Sequence, residues 1–312
     1  MRLIDRLRQR IPSRRARLFG AAACVIAASA VTAAPAAHLP SGVSPDLLGD
    51  SLVGTSGKLR ARFVPRTRSF AIPILRTLFG ESPARMPGVY RVALSGEQRP
   101  FSFITMRPFA DKVNGRIGAY RIGFWPDERR WGRTEDARRL PAGFIEVTPE
   151  NRDTPVSEHF ALAEFLTHDQ GDVWPKYLVL QERLLDKLEL VIAELRASGA
   201  RVDRLQVMSG FRTPQYNRQG VGSGGRASDS RHQYGDAADV YVVNGSRDWM
   251  ADLDGDGRGD MRDARLLAQA AERVEQRHPD LAGGIGIYQP TSAHGPFVHI
   301  DARGVPARWG AW

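Results

Sequence analysis

Cysteine is almost missing from this chain of 312 residues: its one thiol is Cys24. That residue lies inside the apolar stretch 18–37, so the rest of the sequence offers no disulfide, no thiolate ligand and no thiol nucleophile. Apolar runs are equally scarce, and only 18–37 approaches the ~20 residues that span a bilayer. A basic folded surface is missing too. The net charge is +9, but residues 1–17 hold seven arginines and one acid. The remainder carries 37 basic against 34 acidic side chains, an excess of only +3. A nucleic-acid partner is therefore not expected, because such a protein concentrates positive charge in its folded part. No internal repeat is visible.

What is present falls into four segments. An arginine-rich start, an apolar run and an Ala-rich end describe an export signal over 1–37, cleaved or kept as an anchor. Ser13-Arg14-Arg15 weakly resembles a twin-arginine signal. Cys24 lacks the leucine expected upstream of a lipoprotein cysteine and reads as a small residue of the signal helix. The expected location is the periplasm or the outer face of the inner membrane, with membrane contact only through this segment. Residues 38–60, rich in Gly, Ser and Pro, read as a tether.

Residues 61–150 read as a small β-rich, antiparallel domain of unassigned role. Segments 89–94, 101–105 and 117–122 are short, aromatic and β-branched, with turns at Ser95-Gly96 and Asn114-Gly115. This region has no histidine, and 127–140 is a charged loop. Residues 151–312 change character. Leu180, Leu184, Leu188, Val191 and Leu195 recur at helical spacing, closed by Ser198-Gly199, with Pro175 suited to the first turn. Strands are expected at 205–208, 237–243 and 297–301, and a helix at 264–278. Helices mixed with short strands indicate an α+β domain.

Alternation gives two of these strands a polar face. Asp239 shares a face with Ala237 and Tyr241, and His299 shares one with Phe297 and Asp301. His232 precedes the first strand on a loop from which it could fold back toward Asp239. Three such donors with a position left for water are what a catalytic zinc requires, although a single strand histidine is more often a hydrogen-bonded structural residue.

Residues 230–239 fit the pattern S-x-H-x-x-G-x-A-x-D at every specified position. With Ser209-Gly-Phe-Arg-Thr-Pro, the stretch 159–165 and the closing 297–301, the region 155–312 resembles the zinc D-Ala-D-Ala carboxypeptidase and L-alanyl-D-glutamate endopeptidase family, which shares the hedgehog/DD-peptidase fold. The resemblance implies an antiparallel sheet with flanking helices. It implies zinc held by His232, Asp239 and His299, with Arg212 and Ser230 near the substrate and Arg212 stabilising a carboxylate or an oxyanion. Relatives often carry an acidic base three positions before the last histidine, where this chain has Pro296. Asp301 and His294 are the nearby groups that could replace it, and Asp301 could instead orient a zinc-bound histidine.

A second metal loop is expected at 252–263. Asp252, Asp254, Asp256, Arg258 (through its carbonyl), Asp260 and Asp263 match the ligand positions of an EF-hand-type calcium loop, with Asp in place of the terminal Glu. The sequence therefore points to an exported zinc metallopeptidase acting on peptidoglycan peptides, either as a D,D-carboxypeptidase or as an endopeptidase. The alternatives are a non-catalytic zinc-containing wall-binding module and a calcium-dependent scaffold.

Overall fold

In a computed structural model of the protein, residues 37–38, 53–93, 100–126, 128, 140–222 and 224–312 are described. The export segment with Cys24 up to residue 36, most of the tether, the turn at Ser95-Gly96 and nearly all of the charged loop 127–140 lie outside the described residues. The first half contributes β1 (Ala37–His38), β2 (Ala61–Pro65), β3 (Gly88–Ala93), β4 (Phe101–Pro108), β5 (Arg116–Ile117), β6 (Tyr120–Arg121) and β7 (Gly143–Val147). Strand β8 (Lys176–Leu178) follows from the second half and pairs with β7.

The sheet built on β4 is mixed rather than antiparallel. Strand β3 runs antiparallel to β4, but β2 runs parallel to it. The reason is the connection from 66 to 87, which carries a 3-10 turn, α1 (Pro73–Phe79) and α2 (Ser82–Arg85) and works as a crossover. Leu75 of α1 closes a small apolar cluster with Val64, Val92, Phe101 and Phe103. The stretch 117–122 is not one strand. Gly118 adopts φ +56° and turns it into the hairpin β5–β6.

Helix α3 (Glu182–Ala197) buries Leu184, Leu188, Val191 and Leu195, as the spacing predicts. It starts seven residues beyond Pro175, because 176–178 is engaged as β8. Its Asp186 carboxylate accepts the backbone N–H groups of Thr55 and Ser56 at 2.8 Å, which fixes the end of the Gly/Ser/Pro-rich stretch on the helix.

The second sheet is formed by β9 (Arg204–Ser209), β10 (Ala237–Val243), β11 (Gly284–Tyr288), β12 (Phe297–Asp301) and β13 (Ala307–Gly310), in the order β13-β11-β12-β10-β9. Its pairs are antiparallel except β11 with β13. Between β9 and β10 lies the short helix α4 (Pro214–Arg218), and α5 (Met261–Arg277) precedes β11. Ala238, Val240, Val298, Ile300, Ile285 and Ile287 turn one face of the sheet toward α3 and α5. The same apolar cluster contains Ile104, Phe144 and Ile145, so one continuous core runs under both sheets. The opposite face carries the polar residues of the site. Among the described residues no helix is long and apolar enough to cross a membrane.

One glycine fixes the approach to that face. Gly235 ends the 3-10 turn Arg231–Tyr234 at φ +69°, and a Cβ there would lie 2.3 Å from the Val179 carbonyl oxygen. Gly235→Ala is expected to destabilise the fold by about 2–3 kcal/mol, combining the left-handed backbone cost with the clash. Denaturant unfolding of the variant checks this, and a change within the ~0.5 kcal/mol of a neutral surface substitution refutes it.

Candidate metal centre

Three elements bring the predicted donors together. In the β10–β12 register, Asp239 stands directly opposite His299, and Ala237 opposite Asp301. His232 comes from the 3-10 turn that precedes β10. His232 Nε2 lies 3.2 Å from Asp239 Oδ1 and 3.1 Å from His299 Nδ1, and His299 Nδ1 lies 3.0 Å from Asp239 Oδ1. All three residues are buried. Donors around a tetrahedral zinc at 2.0–2.1 Å stand about 3.3 Å apart, so this triangle has the size of one face of such a site. The group can hold a metal ion.

The remaining nitrogens are committed in a way that frees the facing ones. His232 Nδ1 is 2.7 Å from the Gly210 carbonyl, so its N–H is on Nδ1 and the Nε2 lone pair faces the triangle. His299 Nε2 is 3.1 Å from Asp301 Oδ2, which leaves Nδ1 for the metal side. Asp301 itself is fully buried. Its carboxylate also accepts the Gly284 N–H at 2.8 Å and the Arg303 Nε–H at 2.9 Å. The Asp301 side chain thus sits behind His299 and is occupied by donors.

The electrostatics favour a cation in the triangle. Burial pushes the His232 pKa down, against the pull of Asp239. Burial by itself would push Asp239 up, but the His232 and His299 rings and the Arg212 guanidinium hold it well below the usual carboxylate range. His299 is raised despite its burial, because Asp239 and Asp301 face its two ring nitrogens. A ring held between two carboxylates attracts positive charge, which a divalent ion held by the three donors would supply.

The donors open onto a cavity of about 570 Å³. Arg212, Ser230 and His294 all line it. Arg212 donates from Nε to Ser209 Oγ at 2.9 Å and from Nη2 to the outer oxygen of Asp239. His294 donates from Nδ1 to the Gly295 carbonyl at 2.8 Å, and its ring meets the edge of Phe297. Pro296 is buried beside it and offers no titratable group. The sequence reading missed Arg226, Arg303, Tyr288 and Trp309 of the same cavity. Trp309 packs 5.1 Å from His299 and donates to the Tyr288 hydroxyl. Its strand β13 carries no alternating pattern that would have flagged it.

The expected calcium ligands divide. The carboxylates of Asp252, Asp254 and Asp256 come within 4.8 Å of one another. Asp252 accepts the N–H groups of Gly255 and Gly257, Asp254 accepts that of Asp256, and Asp256 accepts that of Arg258. Asp260 and Asp263 form the capping box of α5, and the second Asp263 oxygen accepts the Leu253 N–H at 2.6 Å. The turn is satisfied by hydrogen bonds of its own, and the calcium reading gains no further support from the fold.

No curated protein matches the chain. Residues 159–254, which include His232 and Asp239, match the family model described as Peptidase M15. Over that segment, under a third of the chain, the protein is similar to the M15 peptidases.

Proposed function

We propose that this domain is an exported zinc metallopeptidase that hydrolyses peptide bonds in peptidoglycan stem peptides, as a D,D-carboxypeptidase or an endopeptidase. The observation that carries the reading is the buried donor triangle of His232, Asp239 and His299, with edges of 3.0–3.2 Å, opening onto a substrate-sized cavity. These three residues would hold the zinc. When bound, zinc supplies an activated water and polarises the scissile carbonyl.

The chain's own groups do the rest. Asp301 orients His299 through Nε2. Arg212 keeps Asp239 ionised, and its remaining N–H groups offset negative charge growing on the carbonyl oxygen. Ser230 lines the wall along which the peptide lies. His294 carries the proton: with Nδ1–H tied to Gly295, Nε2 accepts from the attacking water and returns the proton to the departing amine. Two placements support this assignment. Position 296 is a proline, and the Asp301 carboxylate is taken up behind His299.

The same placements favour a second reading, a wall-binding module that keeps the metal but not the chemistry. Mass spectrometry of purified muropeptides incubated with the zinc-loaded wild type separates the two. The peptidase reading expects metal-dependent loss of D-Ala or split stem peptides. Intact muropeptides, together with binding to sacculi, would leave only the module. Asp301→Asn is expected to lower zinc affinity by about 10–100-fold. Competition with a chromophoric chelator measures this, and unchanged affinity removes the orienting role.

A further inference from the structure

Four arginines line the cavity, and three of them are neutralised by fixed carboxylates. Arg212 is paired with Asp239, Arg231 with Asp236 and Arg303 with Asp301. Arg226 differs. Among the described residues it has no carboxylate partner, and the cavity's other acid, Asp229, accepts the Tyr234 hydroxyl at 2.6 Å.

Arg226 is nevertheless held in place. Its guanidinium stacks 4.3 Å from the centre of the Tyr216 ring, and Nη1 donates to the Tyr216 carbonyl at 2.7 Å. Tyr216 sits on α4, whose start is capped by the Thr213 hydroxyl accepting the Tyr216 N–H at 3.1 Å. The Arg226 backbone N–H donates to the Gly220 carbonyl, and Asn217 Nδ2 donates to the Ala227 carbonyl. A Cβ at Gly220 would lie 2.4 Å from the Arg226 Cδ, so the bare backbone there leaves room for the arginine in this position. A stacked guanidinium with one nitrogen tied to backbone still presents N–H donors in a fixed plane, which is the geometry that recognises a carboxylate.

We propose that Arg226, the cavity arginine with no carboxylate partner among the described residues, is a specificity-determining residue that binds a carboxylate of the peptide substrate, while Arg212 faces the scissile carbonyl. The inference rests on the reading of this cavity as a peptidase site and deepens it. The carboxylate has two possible sources, the C-terminus of the peptide or an acidic side chain within it.

The test measures binding to the full chain by NMR titration, with zinc and after chelation, so that it does not depend on turnover. One pair of probes is acetyl-Lys-D-Ala-D-Ala with a free or an amidated C-terminus. A second pair is a C-terminally amidated acetyl tripeptide with Glu or Gln in the middle. The wild type is expected to prefer the acid over the amide in one pair by roughly 10–100-fold, as charge-assisted hydrogen bonds allow. The pair that shows the preference identifies the source. Arg226→Ala is expected to lose the preference while binding the amide as before, and Arg226→Lys to recover part of it, which a merely structural role would not give. Equal binding of acid and amide by the wild type in both pairs overturns the inference. So does an undiminished preference in Arg226→Ala. Cleavage is scored separately on the zinc-loaded samples: if nothing is cut while the preference holds, the peptidase reading falls and Arg226 stands.

Discussion

Asp239→Ala is expected to abolish stoichiometric metal retention and to lower muropeptide cleavage by about 10³-fold or more, equivalent to ~4 kcal/mol of transition-state stabilisation. Asp239 Oδ1 lies 3.2 and 3.0 Å from the two histidine donors, so it is the common vertex of their contacts. Its other oxygen anchors Arg212. Removing the carboxylate deletes the only anionic donor of the triangle and leaves a guanidinium beside two imidazoles, a net repulsion for any cation. It also removes the group that favours positive charge on His299. Elemental analysis of the purified variant and mass spectrometry of muropeptides incubated with it check both halves. A variant that retains one zinc per chain would show that Asp239 is not a ligand. A variant that loses zinc yet still cleaves would show that the chemistry lies elsewhere.

Much of this centre was legible because its donors stand on regular strands. Two-residue alternation put Asp239 and His299 on polar faces, and the register does bring them opposite each other. His232 was legible only through its motif, since nothing periodic locates a 3-10 turn. Strand β11 was not legible. It reads Gly-Ile-Gly-Ile-Tyr, and its two glycines erase one face of the pattern. Space requires them: a Cβ at Gly284 would lie 2.4 Å from Asp301 Oδ2, and one at Gly286 would lie 2.2 Å from the Trp309 indole nitrogen. The parallel course of β2 was hidden because strand patterns carry no direction. The dispositions of Asp301 and Arg212 were open in the sequence for another reason. A strand face says which residues look one way, but only side-chain packing decides which carboxylate is turned behind a histidine and which arginine is already paired.

Lys187 lies at helical spacing from Leu184 and Val191, on the flank of the buried stripe of α3. A lysine on a helix is expected at the solvent face, yet this side chain is completely buried. Its ammonium donates to Glu275 Oε1 at 2.5 Å and to the Asp301 carbonyl at 2.6 Å. Burial lowers its pKa even though Glu275 pulls it upward. Glu275 in turn accepts the Gly283 N–H and an N–H of Arg308. The network ties α3 and α5 to the strand that carries His299, one step behind the Asp301 carboxylate that orients that ring. Lys187→Ala is expected to cost about 3–5 kcal/mol, because it orphans a buried carbonyl, removes one of the counter-charges of Glu275 and leaves a cavity. For a chain of this size that corresponds to a fall in Tm of roughly 10 °C. Lys187→Met, which keeps the volume, should cost less. Glu275→Ala should cost at least as much as Lys187→Ala, since it leaves both Lys187 and Arg308 facing each other without the carboxylate. Equilibrium unfolding of the three variants tests the order, and a Lys187→Ala loss below about 1 kcal/mol, the size of an exposed ion pair, would sink the argument. Chelator competition on the same samples reads the functional link. Because Lys187 fixes the backbone of Asp301 and Asp301 fixes His299, Lys187→Met should weaken metal binding even where the fold survives.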